Sequence, residues 1–153
     1  MIVVAALAVA SGTCAVPFGV GTDATAQVDA YARRSVQIMA LAAKKDERAL
    51  ASYVTPDADF SLGAGDVGRP FGRGVQGAVA LAAELKPTTY SFHGFAGIPM
   101  QRDPCSAQEV SVEFVSSDGE HSAPITFKYE RGLLRSASGW WTPYSSGHVE
   151  VDP

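Results

Sequence analysis

The sequence has few cysteines, no long apolar run and no cluster of positive charge. Its two cysteines cannot form a metal cage, because neither lies beside a further cysteine or a histidine at ligand spacing. The apolar run at residues 2–10 is too short to cross a bilayer. Twelve Lys and Arg oppose sixteen Asp and Glu, for a net charge of −4. Nucleic-acid binding needs a concentrated positive surface, so we expect no nucleic-acid partner. The cysteine spacing and the short apolar run likewise predict no metal site and no stable membrane span.

The composition is that of one globular domain. The 153 residues are 46% apolar and 18% charged, which is too apolar for a disordered chain. A chain of this length buries most of its apolar surface in a single core. We therefore expect one folded domain at 23–142, followed by a polar C-terminal tail at 143–153.

The N-terminus resembles a secretory signal peptide. The apolar run 2–10 is followed by small residues at 11–15, although no Lys or Arg precedes it. We predict a leader at 1–15 and an exported protein, either periplasmic or secreted. The alternative is a flexible apolar N-terminus on a cytoplasmic protein.

Two cleavage points fit the small residues. One uses Thr13 and Ala15 and removes Cys14, whereas the other uses Ala8 and Ala10 and keeps it. The first leaves the longer apolar core and is preferred on pattern alone.

The second cleavage point would leave two cysteines in the mature chain. In an oxidising compartment, a bridge between Cys14 and Cys105 would pin the N-terminal arm to a loop. If Cys14 is removed, Cys105 is a lone thiol.

Three helices are predicted in the first part of the chain. Asp23 is a suitable cap for a long helix at 24–43, whose apolar residues recur at a spacing of three and four. Asp46 caps a short second helix, and an alanine-rich third helix covers 76–85.

The remainder of the sequence reads as strands and turns. A short strand at 58–62 precedes the third helix, and strands at 88–97, 108–116, the segment before Arg131 and 133–141 follow it as an antiparallel meander. The turn at 118–119 pairs Val110 with Phe127 and Val112 with Ile125.

The next hairpin fixes the facing of the last strand. Pairing Tyr129 with Leu134 sets Phe127 opposite Ser136. Alternation then turns four residues inward, namely Leu134, Ser136, Ser138 and Trp140. The predicted fold class is α+β, with the helices packed on one face of a sheet.

Two passages carry a resemblance to a known family. In residues 46–60 the second helix ends in an apolar, proline, acidic and apolar passage before the first strand. Residues 127–134 form an aromatic-rich strand that turns at a glycine into an aliphatic one. This order resembles the nuclear transport factor 2-like superfamily, in its SnoaL-like and ketosteroid-isomerase-like branch. The resemblance implies a cone-shaped barrel, a curved antiparallel sheet wrapped round a long N-terminal helix with two further short helices. It also implies an apolar pocket and, commonly, a homodimer.

The acids used by enzymes of that family have no counterpart here. The end of the first strand reads Phe60-Ser61-Leu62-Gly63, where isomerase-like members carry a carboxylate. The last strand also lacks the Asp that polyketide cyclases use. Both departures count against those reactions.

Asp66 and His93 are the candidate catalytic residues. Asp66 lies in a glycine-rich stretch with a formal G-x-G-x-x-G, but Pro70 and antiparallel strands follow, so we expect a loop and no cofactor. In that loop Asp66 is expected to pair with Arg69 or Arg73.

The histidines are weaker candidates. His93 is a candidate general base if it faces inward, which periodicity does not decide. His121 shares the apolar face of its strand but sits at a turn, and His148 lies in the tail.

The pocket candidates are amphipathic or small. Tyrosine and tryptophan tips orient ligands in apolar cavities, and small serines leave space. The candidates are Tyr31, Tyr53, Tyr90, Tyr129, Ser136 and Trp140, each of which is equally explained as core packing. Trp141 is assigned to a dimer interface.

The leading hypothesis is a SnoaL-like protein that binds a small apolar molecule in a cone-shaped pocket without catalysis. The first alternative is a lyase, isomerase or cyclase that acts next to a carbonyl, with His93 or Asp66 as general base. The second is a protein-assembly module that uses the sheet face.

Overall fold

The structure is a computed structural model that describes residues 14–17, 23–87, 90–97 and 103–144. For residues 24 and 90–97 the description covers the backbone alone.

In the described residues three helices form close to the predicted positions, the first two of them at the predicted caps. They are α1 (Ala24–Ala43), α2 (Glu47–Leu50) and α3 (Gly74–Leu85). The Asp23 carboxylate accepts a hydrogen bond from the Ala26 N–H at 2.9 Å, and Asp46 does the same for Ala49 at 3.1 Å. None of the helices described has the length and apolar character of a membrane span.

Within the described ranges, six strands form one mixed sheet. They are β1 (Val54–Ala64), β2 (Pro70–Arg73), β3 (Tyr90–Gly97), β4 (Gln108–Ser116), β5 (His121–Glu130) and β6 (Leu133–Pro143). Their order is β2-β1-β6-β5-β4-β3. The predicted α+β class and the meander β3 to β6 are confirmed. Strand β2 was not predicted, and β1 pairs with β6 in parallel, so the sheet is not purely antiparallel.

The helices cover one face of the sheet, which we call the inner face. Helix α3 packs on β1, and α1 packs on α3 and β4. Side chains that alternate along the strands fill this face, among them Phe60, Leu62, Val112 and Phe127, each at most 3% exposed. Their burial is the main source of stability, because each such side chain contributes about 1.5–3 kcal/mol.

The register of the β4–β5 hairpin is as predicted. Val110 lies opposite Phe127 and Val112 opposite Ile125. The short Asp118 and Gly119 turn fixes this pairing, since a slip by one residue would turn every apolar side chain to the outside.

The predicted facing of β6 is wrong beyond Leu134. Tyr129 lies opposite Leu134, but Lys128 lies opposite Ser136, so Arg135 is an extra residue in β6. Arg135 points to solvent, where it pairs with Asp57 at 2.9 Å. This bulge inverts the alternation that follows it.

As a result, Ala137 is opposite Phe127 on the inner face. Ser136, Ser138 and Trp140 lie on the outer face, beside the outward residues of β1. Trp141, which the sequence analysis assigned to a dimer interface, is partly buried and packs against the core.

Candidate functional site

Two buried tyrosines and a serine link α1 to β5, and we call them the tyrosine cluster: Tyr31, Ser35 and Tyr129. The Ser35 hydroxyl donates to the Tyr31 carbonyl at 2.9 Å and therefore accepts from the Tyr129 hydroxyl at 2.7 Å. The Tyr31 hydroxyl donates to the Pro104 carbonyl at 2.7 Å. Two of the four predicted pocket tyrosines, Tyr31 and Tyr129, thus have their hydroxyls bound to protein groups.

Burial changes the acidity of both phenols. Desolvation raises the pKa of Tyr31 to about 12, against a smaller lowering by the nearby Arg34 charge. Desolvation also raises the pKa of Tyr129, against a smaller lowering by its hydrogen bond with Ser35. The cluster stays neutral at physiological pH and holds no proton-accepting phenolate there.

The tyrosine cluster predicts a loss of stability at alkaline pH. Unfolded tyrosines lose their protons near pH 10, whereas the folded Tyr31 keeps its proton to about pH 12. The unfolded state then binds fewer protons, so the free energy of unfolding falls by about 1.4 kcal/mol per pH unit for each such tyrosine above pH 10. Urea unfolding from pH 9 to 12 measures this slope.

The matched variant for the pH experiment carries Tyr31→Phe and Tyr129→Phe together. Its slope should be clearly shallower than that of the parent chain. An unchanged slope would exclude the cluster as its source.

Arg34 is the residue that the sequence analysis missed. Its half-buried guanidinium donates to the carbonyls of Gly132, at 2.9 Å, and Ala15, and it stacks on the Tyr53 ring at 5.3 Å. Burial lowers the pKa of Arg34. Tyr53 in turn accepts a hydrogen bond from Gln37 at 3.4 Å. The available signal was that Arg34 follows Tyr31 by three residues and so shares its helix face.

Arg34 binds the N-terminal strap, which we define as residues 14–17. The strap is tied to the body by a disulfide between Cys14 and Cys105, with a Cα–Cα distance of 5.7 Å, as the retained-cysteine alternative predicted. The Ala15 N–H donates to the Arg131 carbonyl at 2.8 Å, and Pro17 is buried. The strap is therefore an integral part of the described fold.

Gly132 allows the strap to lie close to the β5–β6 turn. Its φ is +80°, and a Cβ there would come within 2.2 Å of the Ala15 backbone. Only glycine combines that conformation with that contact.

Asp66 lies exposed in the turn between β1 and β2. The expected pairing is wrong: Arg69 pairs with Glu84 at 3.4 Å and Arg73 with Asp59 at 3.1 Å. The glycine-rich stretch forms a turn into the antiparallel strand β2, because the bridge between Ala64 and Val67 closes it.

His93 interrupts the β3–β4 register. Phe92 lies opposite Phe114 and Gly94 opposite Glu113, which leaves His93 as the extra residue of a bulge. The side chains of His93 and Tyr90 and the whole of His148 are outside the described residues.

His121 is exposed at the start of β5. Its ring nitrogen and the carboxylates of Asp118 and Glu120 place one ligand atom each within 4.8 Å of one another. The Ser116 hydroxyl, followed by the Glu120 N–H at 2.9 Å, lowers the pKa of Asp118. The group caps a turn at the surface, which accounts for its geometry.

Trp140 and Ser136, both predicted in the pocket, lie on the outer face. The Trp140 ring lies across Gly63 of β1 and is 45% exposed. A Cβ on Gly63 would be 2.2 Å from the ring atom Cε3. The lack of a side chain at Gly63 therefore lets the Trp140 ring lie against the sheet.

Gly63→Val tests this packing. We expect the Trp140 ring to be displaced, with a loss of about 1–3 kcal/mol in the free energy of unfolding and a red-shifted emission. Urea unfolding and fluorescence measure both. In a Trp140→Ala background the same change should cost much less, and an equal cost in both backgrounds would contradict the contact.

One described groove lies between α1 and α3, away from the inner face of the sheet. Its volume is about 190 Å³, less than the roughly 300–1,000 Å³ of pockets for drug-sized ligands. Its lining residues are Ala42, Ala43, Lys45, Val79, Ala82, Ala83, Lys86 and Pro87.

The chain matches no family model and no curated protein. It is similar to a solved structure from Methylobium petroleophilum, described as a protein of unknown function with a cystatin-like fold. The identity is 15%, the match covers 78% of this chain and 82% of the other, and the TM-score is 0.46.

Two further solved structures are similar. An NTF2-like protein from Burkholderia xenovorans is 8% identical over 80% of this chain and 93% of its own, with a TM-score of 0.45. The structure of LinA is 19% identical over 80% and 95%, with a TM-score of 0.38. At such identities, any activity of those proteins remains their own. The chain itself has the α+β class and the long N-terminal helix that its sequence predicts.

Proposed function

We propose that this chain is an exported binding protein that holds a small apolar molecule on the inner face of its sheet and performs no chemistry on it. The supporting observation is that no fully buried side chain in the described part of the chain carries a charge. Within the described ranges, the buried polar side chains are all uncharged: Gln27, Ser35, Thr55, Gln108, Ser116 and Ser122. General acid or base catalysis needs a titratable group beside the substrate, whereas retention of an apolar molecule needs only apolar walls.

The β4–β3 edge of the sheet is the proposed binding position. The sheet ends at β3 and does not close on β2. Val110, Val112 and Phe114 of β4 are apolar and lie under α1, and each is at most 2% exposed, so a ligand reaches them only by displacing part of this packing. Export is part of the proposal because disulfides persist in oxidising compartments.

A thermal-shift screen of the oxidised protein tests the proposal. The compounds are steroids, polycyclic ketones, terpenoids and fatty acids, with His93→Ala as the variant and the exposed His121→Ala as its control. A ligand at a hundred times its dissociation constant adds about 2.7 kcal/mol of stability. We expect a hit that shifts the parent chain and His121→Ala equally and is recovered unchanged by mass spectrometry. If no compound shifts the parent chain, the binding proposal fails.

The β3 bulge favours an enzyme as the second candidate function. Bulges re-aim side chains and are frequent beside active sites, and His93 is the extra residue here. In this alternative His93 is the general base of a lyase, isomerase or cyclase that acts next to a carbonyl. Turnover of a hit that His93→Ala abolishes and His121→Ala retains would establish it in place of simple binding.

The exposed Trp140 ring favours the assembly alternative. An aromatic ring on the open outer face suits a second copy of the chain, since aromatic residues are enriched at interfaces. The expected homodimer would then use the outer face. Light scattering on Trp140→Ser decides this: a dimer that becomes a monomer supports the interface, and an unchanged mass rejects it.

A further inference from the structure

We propose that the leader is cleaved between Ala10 and Ser11, so that Cys14 stays in the mature protein. This inference rests on the export that forms part of the proposed function. It reverses the preference for cleavage after Ala15 that the length of the apolar run gives. The contacts of the strap carry it.

Cleavage after Ala15 would remove three attachments of the strap at once. Cys14 carries one half of the disulfide, and both backbone groups of Ala15 are bonded, the N–H to the Arg131 carbonyl and the carbonyl to the Arg34 guanidinium. Cys105 would remain as an unpaired thiol in an oxidising compartment, where such thiols form wrong bridges.

The same cleavage would also bring two positive charges together. Val16 would become the N-terminus, and its ammonium group would stand next to the place of the Ala15 carbonyl, which accepts from Arg34. An accepting oxygen beside a half-buried guanidinium would thus be replaced by a like charge. The fold therefore opposes a mature chain that begins at Val16.

The upstream motif has the residues that cleavage requires. Ala8 and Ala10 supply the two small side chains, and Ser11 to Thr13 separate the cleaved bond from Cys14. A signal peptidase hydrolyses the Ala10–Ser11 bond with one water molecule. The leader leaves with a carboxylate on Ala10, and the mature chain begins with an ammonium on Ser11.

Intact-mass analysis of the full chain, expressed in a secreting bacterium, tests the site. We expect the exported fraction to begin at Ser11, to take up no alkylating reagent before reduction and to take up two equivalents after it. A chain that begins at Val16, or two thiols that are alkylated before reduction, would overturn the proposal.

Two matched variants identify the cleaved bond. Ala10→Gln should block processing, because glutamine is too large for the small-residue position. Ala15→Gln should be processed like the parent chain, since Ala15 is exposed and bonds through its backbone. The reverse pattern would overturn the proposal.

The failures of this inference and of the proposed function can be told apart. An uncut chain confined to the cytosol would contradict both the proposed export and the proposed cleavage site. A mature chain that begins at Val16 would contradict only the cleavage site. A negative ligand screen would contradict only the binding proposal.

Discussion

Replacing Cys14 and Cys105 with serine should lower the free energy of unfolding by about 4 kcal/mol. The disulfide closes a loop with a sequence separation of 91, and loops near that length restrict the unfolded chain by about 4–5 kcal/mol in the chain-entropy model. Losses of 2–4 kcal/mol are typical, and strap contacts that depend on the bridge add to them. The melting temperature should fall by roughly 10 °C. Urea unfolding and calorimetry under non-reducing conditions measure the two effects.

The control is reduction of the parent chain. A reductant should lower its midpoint to that of the double variant and leave the double variant unchanged. Equal midpoints for the parent chain with and without reductant would show that the bridge does not restrain the unfolded state.

Ala137→Asp should cost about 4 kcal/mol or more. Ala137 is fully buried opposite Phe127, so the new carboxylate would lie unpaired in the apolar interior. Its neighbour Ser138 is exposed on the outer face, and Ser138→Asp should stay within about 0.5 kcal/mol of the parent chain. Urea unfolding followed by circular dichroism compares the two.

A second pair of milder variants keeps the prediction testable if Ala137→Asp does not fold. Ala137→Ser should still cost about 1–3 kcal/mol through a buried hydroxyl, whereas Ser138→Ala should be nearly neutral. If the Ser138 changes prove the costly ones, β6 has the facing that simple alternation predicts and the bulge at Arg135 is wrong.

The bulge at Arg135 could not be predicted from the sequence, whereas other elements of the fold could. The α1 helix and the β4–β5 hairpin could be predicted because their signals are local: a cap at Asp23, an apolar period and a two-residue turn. Arg135 is one extra residue in an otherwise alternating strand, and its neighbours do not reveal it. Its partner Asp57 lies far away in the chain, so only the folded sheet shows why an arginine at this position turns outward.

The same reason limits the prediction of the site. The sequence offered the bridge between Cys14 and Cys105 only as one of two alternatives, and the strap contacts of Arg34 depend on loops that only tertiary structure brings together. Tyr31 and Tyr129 were predicted to line a pocket, and in the structure their hydroxyls bond to protein groups. Their burial and mutual contact, with ring centroids 4.8 Å apart, are also explained by a rigid junction between helix and sheet.

The position of β6 determines when this chain can fold. It lies between β1 and β5, although it is the last strand to be synthesised. Until it emerges from the ribosome, β1 and β5 lack their shared neighbour, and the sheet remains two separate pieces with exposed edges. Pairing of such distant segments is slow. The complete sheet therefore forms only once β6 is available to pair with both of its neighbours.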